Sequence, residues 1–356
     1  MSPRASGEFH IPSLDGIRAI AACIVFLSHC GLEDVIPGGF GVTIFFFLSG
    51  FLITTLLRQE YEKTAAISLK KFYLRRFYRI IPPLYIVLLV LLLPYSTRDS
   101  THHATNLALV AQFAQLTNYY QIFWGGDTMI PGTGQMWSLA VEEHFYLLFP
   151  LVLALLLQRR DYRHIAFIFA GACVAVLAWR CLLFFVVGLR DDDYFYFATD
   201  TRFDSMLYGC IMGIWLNPVL GRQFVEVSNA RWIGVLALAT VVLGVTFLYR
   251  SESFRETFRY SLQGVALFPV FFCAVRKSEW PLFRWLETRP IRFLGLISYT
   301  FYLIHLKALV IVHRYTDAPM PVRAVLGFML AVAFSSAMYF LVERHLGALR
   351  RRLHPH

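Results

Sequence analysis

The run G-G-F-G-V-T-I-F-F-F-L-S-G-F-L-I-T-T-L-L, from Gly38 to Leu57, carries no charged side chain. Roughly 20 apolar residues are enough for one helix to cross the hydrocarbon core of a bilayer. Working outward from this run, apolar segments occupy 16–31, 40–58, 80–96, 104–122, 140–157, 163–188, 203–217, 231–249, 258–275, 294–313 and 322–342. Over the whole chain 57% of residues are hydrophobic, 16% are charged and the mean hydropathy is +0.56. Soluble domains carry about a quarter charged residues and do not reach that hydropathy. The predicted class is an all-α polytopic membrane protein.

Basic residues decide which segments cross. The formal net charge is +10, and it is clustered. Lys70, Lys71, Arg75, Arg76 and Arg79 stand between the second and third segments. They are followed by Arg159, Arg160 and Arg163, by Arg222 and Arg231, by the stretch from Arg276 to Arg292, and by Arg350, Arg351 and Arg352. Lys and Arg concentrate in short cytoplasmic connections. All these clusters fall on one side if every segment crosses except 104–122, whose interior holds Asn106, Gln112, Gln115, Thr117 and Asn118. The expectation is about ten transmembrane helices plus a re-entrant or peripheral segment, with both termini cytoplasmic. Asp191, Asp192 and Asp193 then lie outside. Clusters of this kind contact membrane lipid, and no basic soluble face suited to nucleic acid is present.

Cys23, Cys30, Cys173, Cys181, Cys210 and Cys273 all lie in apolar segments and form no C-x-x-C pair, so neither a disulfide framework nor a metal site is indicated. The stretch M-S-P-R-A-S-G-E-F-H-I-P-S-L-D-G-I-R precedes the first apolar run without a small-residue cleavage site, and the first helix is expected to be retained. There is no internal repeat and no long linker. The expected organisation is a single membrane domain over 1–356, without a fused soluble domain.

Ionisable groups inside membrane helices are costly and point to function. Three sets occur here. Arg18 and His29 are eleven residues apart, which is three helical turns plus about 20°, so they share a face and stand roughly 16 Å apart along the axis. A snorkelling arginine and a histidine bonded to a neighbouring helix would account for the same residues. In G-Q-M-W-S-L-A-V-E-E-H-F-Y-L-L-F-P, Glu142 and Glu143 enter an apolar helix beside His144 and after Trp137. A carboxylate there can orient a histidine; it can also sit at a helix N-terminus for the dipole, with Ser138 as cap. In K-K-F-Y-L-R-R-F-Y-R-I-I-P-P, Arg75, Arg76 and Arg79 interleave with Phe72, Tyr73, Phe77 and Tyr78. Guanidinium forks suit phosphate groups and aromatic rings suit a nucleobase. An interfacial basic helix on anionic lipid has the same composition.

Taken in order, these residues resemble the acyltransferase type 3 family of integral membrane acyltransferases. I-P-S-L-D-G-I-R-A-I-A-A, with His29 after Arg18, is similar to its R-x10-H signature. Gly38 to Ile53 is similar to its second-helix motif, with Ser49 and Gly50 at the F-F-x-x-S-G end. Arg76 and Arg79 match an R-x-x-R element. Trp137 to Pro150 resembles its W-S-L-x-x-E-x-x-F-Y block, with Ala140 where serine is common and His144 where glutamine is common. T-D-T-R-F-D-S-M, Thr199 to Met206, looks like a T-x-x-R-x-D element, and S-Y-T-F-Y-L-I-H, Ser298 to His305, resembles the late helix. The match covers roughly residues 11 to 345.

The resemblance implies a membrane O-acyltransferase, acetyl-CoA as donor with no metal, and a location in the cytoplasmic (inner) membrane of a bacterium. The acceptor would be a glycan or a lipid-linked hydroxyl, and a separate extracytoplasmic transferase could complete the transfer. Arg75, Arg76 and Arg79 would hold the nucleotide phosphates, and Arg18 and Ser49 would line the path of the thioester arm. His29 would be general base or covalent carrier, with Glu142 orienting it. Trp137, Glu143, Tyr146, Arg202, Asp204 and His305 would be structural or on the acceptor side. The alternative is a proton- or anion-coupled membrane transporter using the same buried polar groups.

Overall fold

A computed structural model describes residues 11–92, 104–221 and 228–351. Residues 93–96 of the third predicted segment, Arg222 and Arg352 lie outside the described residues. Among the described residues all regular secondary structure is helical.

Helix α1 (Pro12–Leu27) opens on a proline in its first turn, where a missing N–H costs nothing. It runs into a π-helical turn at Ser28–Leu32, in which Gly31 takes φ +82°. Helix α2 (Gly38–Thr64) stops at Ala65, a left-handed residue at φ +55°. Four residues later the chain enters α3 (Leu69–Leu92), which joins the basic cluster and the third apolar segment into one helix with Pro82 and Pro83 inside it. The arginines therefore sit on the first half of a bundle helix and not in a loop.

The polar segment 104–122 becomes α4 (Asn106–Phe113) and α5 (Thr117–Trp124), broken at Gln115, which has φ +58°. Eight residues of helix span about 12 Å, so neither crosses a bilayer. The chain continues through α6 (Trp137–Arg159), α7 (Tyr162–Cys181, prolonged by a π-helical turn to Val187), α8 (Asp192–Phe197) and α9 (Thr199–Ile214). After these come α10 (Asn229–Leu248), α11 (Glu252–Glu256), α12 (Arg259–Arg276), α13 (Arg289–Tyr315), α14 (Met320–Met338) and α15 (Arg344–Arg351).

Seven stretches among the described residues are long and apolar enough to cross a membrane: Pro12–Leu32, Gly38–Thr64, Gly134–Arg159, Tyr162–Val187, Asn229–Leu248, Arg289–Tyr315 and Met320–Leu349. Three further helices pack with them but are shorter or more polar. Helix α3 carries its basic first half, α9 has 16 residues, and α12 opens on R-Y-S-L-Q-G.

Backbone contact at glycines sets the centre of the bundle. A Cβ on Gly50 of α2 would lie 2.0 Å from the Met206 carbonyl oxygen, and one on Gly209 of α9 would lie 2.0 Å from the Phe47 carbonyl oxygen. Without a hydrophobic drive between helices in lipid, close backbone approach at small residues supplies the packing energy. The α1–α13 contact is built the same way, with Gly295 lying directly on the backbone of Asp15. Helix α9 is further locked to α7 by a fully buried pair, Arg180 Nη2 to Asp204 Oδ2 at 2.7 Å. The same guanidinium also donates to the Thr201 and Thr257 carbonyls and to Ser261 Oγ. Asp204 is thus an interior tie between helices. Outer helices instead expose apolar side chains such as Val174, Leu238, Val241 and Met329, as lipid contact requires.

Candidate active site

Two cavities lie along α1. The first brings together Arg18 of α1, Ser49 of α2, Arg76 and Arg79 of α3, and Glu142, Glu143 and Tyr146 of α6. The i, i+3 spacing of Arg76 and Arg79 puts both on the face of α3 that meets the bundle. Arg75 turns to α2, where its Nη2 lies 3.0 Å from Glu60 Oε2. Glu142 is held from two sides. Its Oε1 accepts from Ser49 Oγ at 3.2 Å and its Oε2 from the Tyr146 hydroxyl at 2.6 Å. The guanidinium of Arg76 lies over the Tyr146 ring, 5.0 Å from its centre, and Arg18 Nη1 is 3.6 Å from Asp15 Oδ1. The Tyr299 hydroxyl donates to the Ile80 carbonyl at 2.9 Å and ties this wall to α3. The result is a chamber with three guanidinium groups, two carboxyl groups and phenol rings, a lining suited to an anionic, partly aromatic ligand.

The second cavity is lined by Ser28 and His29 from the turn after α1, by Gly38 and Gly39, by Gln121, Gln135 and Trp137, and by Tyr196 and Phe197. Trp137 packs on Tyr196 and Phe197 at centroid distances of 4.9 and 5.1 Å. Gly39 leaves the room: a Cβ there would lie 2.9 Å from the Tyr196 hydroxyl oxygen. Beneath this wall Arg202 is fully buried, its guanidinium 3.9 Å from the Tyr260 ring centre, and it donates to the Tyr196 carbonyl and Thr43 Oγ1. Arg202 therefore supports the aromatic wall. His29 is exposed to the cavity mouth, and its Nδ1 lies 3.0 Å from Nε2 of His305 on α13.

Tyr302 lines both cavities. Its hydroxyl lies 2.7 Å from Ser138 Oγ and donates to the Gln135 carbonyl at 3.0 Å. This tyrosine is thus shared by the arginine chamber and the histidine chamber.

The geometry corrects two expectations. Glu142 bonds Ser49 and Tyr146 and not His29, whose Nδ1 meets His305 of α13. Ser138 does not cap α6, because its hydroxyl is engaged with Gln135 and Tyr302. His144, next to the two glutamates in sequence, points away from both cavities to Thr199 Oγ1 at 2.8 Å. Sequence reasoning missed Tyr302, Arg180 and Glu60. Tyr302 and His305 stand one turn apart in S-Y-T-F-Y-L-I-H, and that i, i+3 spacing was the available signal. Among the described residues no group of three His, Cys, Asp or Glu side chains is arranged to hold a metal.

Comparison with known proteins gives a consistent result. The sequence model of an acyltransferase domain matches residues 11–340. The chain is 31% identical over 310 residues to the peptidoglycan O-acetyltransferase OatA of Listeria monocytogenes, covering 83% of this chain and 49% of that one. It is 31% identical over 315 residues to the O-acetyltransferase OatA of Staphylococcus aureus, covering 86% of this chain and 52% of the relative. The chain spans about half the length of the curated relatives it matches. No solved structure matches it.

Proposed function

The chain belongs to the acyltransferase type 3 family, and from that premise we propose that it is a membrane O-acyltransferase carrying an acetyl group from acetyl-CoA to a hydroxyl of a glycan. The observation that carries the reading is the pair of cavities meeting at Tyr302, one holding Arg18, Arg76 and Arg79, the other His29. Arg76 and Arg79 bind the nucleotide phosphates. Arg18 and Ser49 line the path of the pantetheine arm, which runs past Tyr302 toward His29, a rise of roughly 16 Å along α1. Trp137, Tyr196 and Phe197 offer the acceptor sugar flat apolar faces. His29 acts as general base. Its Nε2 takes the hydroxyl proton as the acceptor oxygen bonds to the acyl carbon. The carbon–sulfur bond breaks, and His29 returns the proton to the thiolate sulfur.

In this reading the chain makes ten crossings: the seven apolar stretches, together with α3, α9 and α12. Both termini and the arginine chamber then face the cytoplasm, where acetyl-CoA is made, and the histidine chamber faces outward. The inner membrane of a bacterium suits this arrangement, and so does a separate extracytoplasmic transferase handling the last step. The relatives reported above give the transport alternative no support.

The test is turnover of acetyl-CoA by the purified chain in nanodiscs with chitopentaose as hydroxyl acceptor. His29→Ala is expected to lower thiol release by at least about a hundredfold with unchanged thermal unfolding. Near-normal release by that variant would refute the mechanism. An acetylated protein in intact-mass spectra of the wild type would make His29 a covalent carrier in place of a base.

A further inference from the structure

We propose that His305 is a positioning residue that sets which nitrogen of His29 carries the proton, an assignment that rests on His29 starting the transfer. The hydrogen-bond chain fixes the tautomers. His305 Nδ1 lies 2.8 Å from the backbone carbonyl oxygen of Tyr302, one turn back on α13. A carbonyl oxygen only accepts, so the neutral His305 ring carries its hydrogen on Nδ1. Its Nε2 is then an acceptor, and the hydrogen in the 3.0 Å contact with His29 Nδ1 belongs to His29. This leaves the lone pair of His29 on Nε2. Either a base or a nucleophile needs that lone pair.

The surroundings hold the arrangement. His305 is 1% exposed, its ring stacks on Phe301 at 6.2 Å with planes 11° apart, and Phe26 meets it edge-on at 6.4 Å. These rings leave the imidazole few alternative rotamers. His29 sits at the π-helical turn, where α1 loses its regular spacing, and its ring is held by the Val25 backbone of α1 together with His305 from α13. In hydrolytic triads a carboxylate orients the histidine; here Glu142 is committed to Ser49 and Tyr146, and the carboxylate that acts electrostatically on His29 is Glu33, four residues on along the chain. During transfer His29 Nε2 accepts the hydroxyl proton and later gives it to the thiolate, while His29 Nδ1–H stays bonded to His305 throughout.

The experiment compares His305→Ala, His305→Gln, His305→Asn and His29→Ala in the full chain in nanodiscs, with acetyl-CoA and chitopentaose, reading kcat, the KM for acetyl-CoA and thermal unfolding. His305→Ala should lower kcat at least about tenfold while the KM moves less than about twofold. Glutamine reaches the ε position with a carbonyl acceptor, so His305→Gln should recover most of the lost kcat. Asparagine keeps a donor for the Tyr302 carbonyl but places nothing at the ε position, so His305→Asn should resemble the alanine variant. Should His305→Ala fail to insert, the contrast between Gln and Asn decides alone. Equal activity of Gln and Asn, or a wild-type kcat in His305→Ala beside an inactive His29→Ala, would overturn this assignment and leave the proposed function standing. Wild-type turnover in His29→Ala would overturn both.

Discussion

Arg75, Arg76 and Arg79 are alike in sequence, and the fold separates them. Arg75 meets Glu60, whose side chain is 6% exposed, and Arg76 and Arg79 enter the first cavity. Truncation should therefore give two different phenotypes. The double variant Arg76→Ala, Arg79→Ala should raise the KM for acetyl-CoA about tenfold or more with a smaller loss in kcat, since lost binding of a remote donor group shows there first. Lysine at both positions should rescue only partly, because an ammonium keeps the charge and loses the planar fork. Arg75→Ala should leave that KM in place and lower stability by up to about 3 kcal/mol, because it strands a buried carboxylate. Kinetics and unfolding on the three variants check this, and a donor KM that moves with Arg75 alone would reverse the assignment. The residue types and their i, i+3 and i, i+4 spacings were legible in the sequence. Their partners on other helices were not, and neither was the partner of Glu142. Spacing along one helix fixes a face, whereas the helix that meets this face depends on the whole packing.

At the scale of elements, the sequence carried the fate of 104–122 in its amides, and the chain breaks there into two helices too short to cross. The motif around Ser49 and Gly50 was legible as a pattern, but its two parts act differently. Ser49 holds Glu142, and Gly50 admits the backbone of α9. The spacing Gly209-x-x-x-Gly213 on α9 is the other half of that crossing, with Phe47 and Thr54 of α2 against it. Gly209→Val should separate the helices and lower the unfolding temperature by about 4 °C or more, or prevent insertion, since overpacking a close crossing costs about 1–3 kcal/mol or more. Gly171→Ala on α7, where a Cβ meets nothing within 4 Å, is the matched control and should change little. Unfolding of the two variants in the same detergent gives the comparison, and equal melting would remove the glycine crossing as the basis of the bundle centre.

At the scale of the whole molecule, composition and apolar length were enough to announce a membrane protein of helices, because a bilayer leaves few other ways to satisfy the backbone. The number of crossings was harder to read. Helices α3, α9 and α12 pack against other helices along at least one face and can carry there the arginines, Asp204 and Gln263 that an apolar-length criterion penalises. Orientation has to be argued from charge, and the proposed arrangement puts Lys63 and Arg160 on the cytoplasmic side and Asp192 outside. All three side chains are exposed. Single cysteines at these positions, Lys63→Cys, Arg160→Cys and Asp192→Cys, in a chain with the six native cysteines replaced by alanine, can be labelled in intact cells with an impermeant maleimide. Asp192→Cys should label in intact cells, and the other two only after the membrane is opened. Retained acetyl-CoA turnover in each variant shows that the labelled protein is the folded one. Strong labelling at Lys63→Cys in intact cells would invert the bundle. It would put the arginine chamber on the side that lacks acetyl-CoA, and the donor assignment of Arg76 and Arg79 would fall even if their KM effects were found.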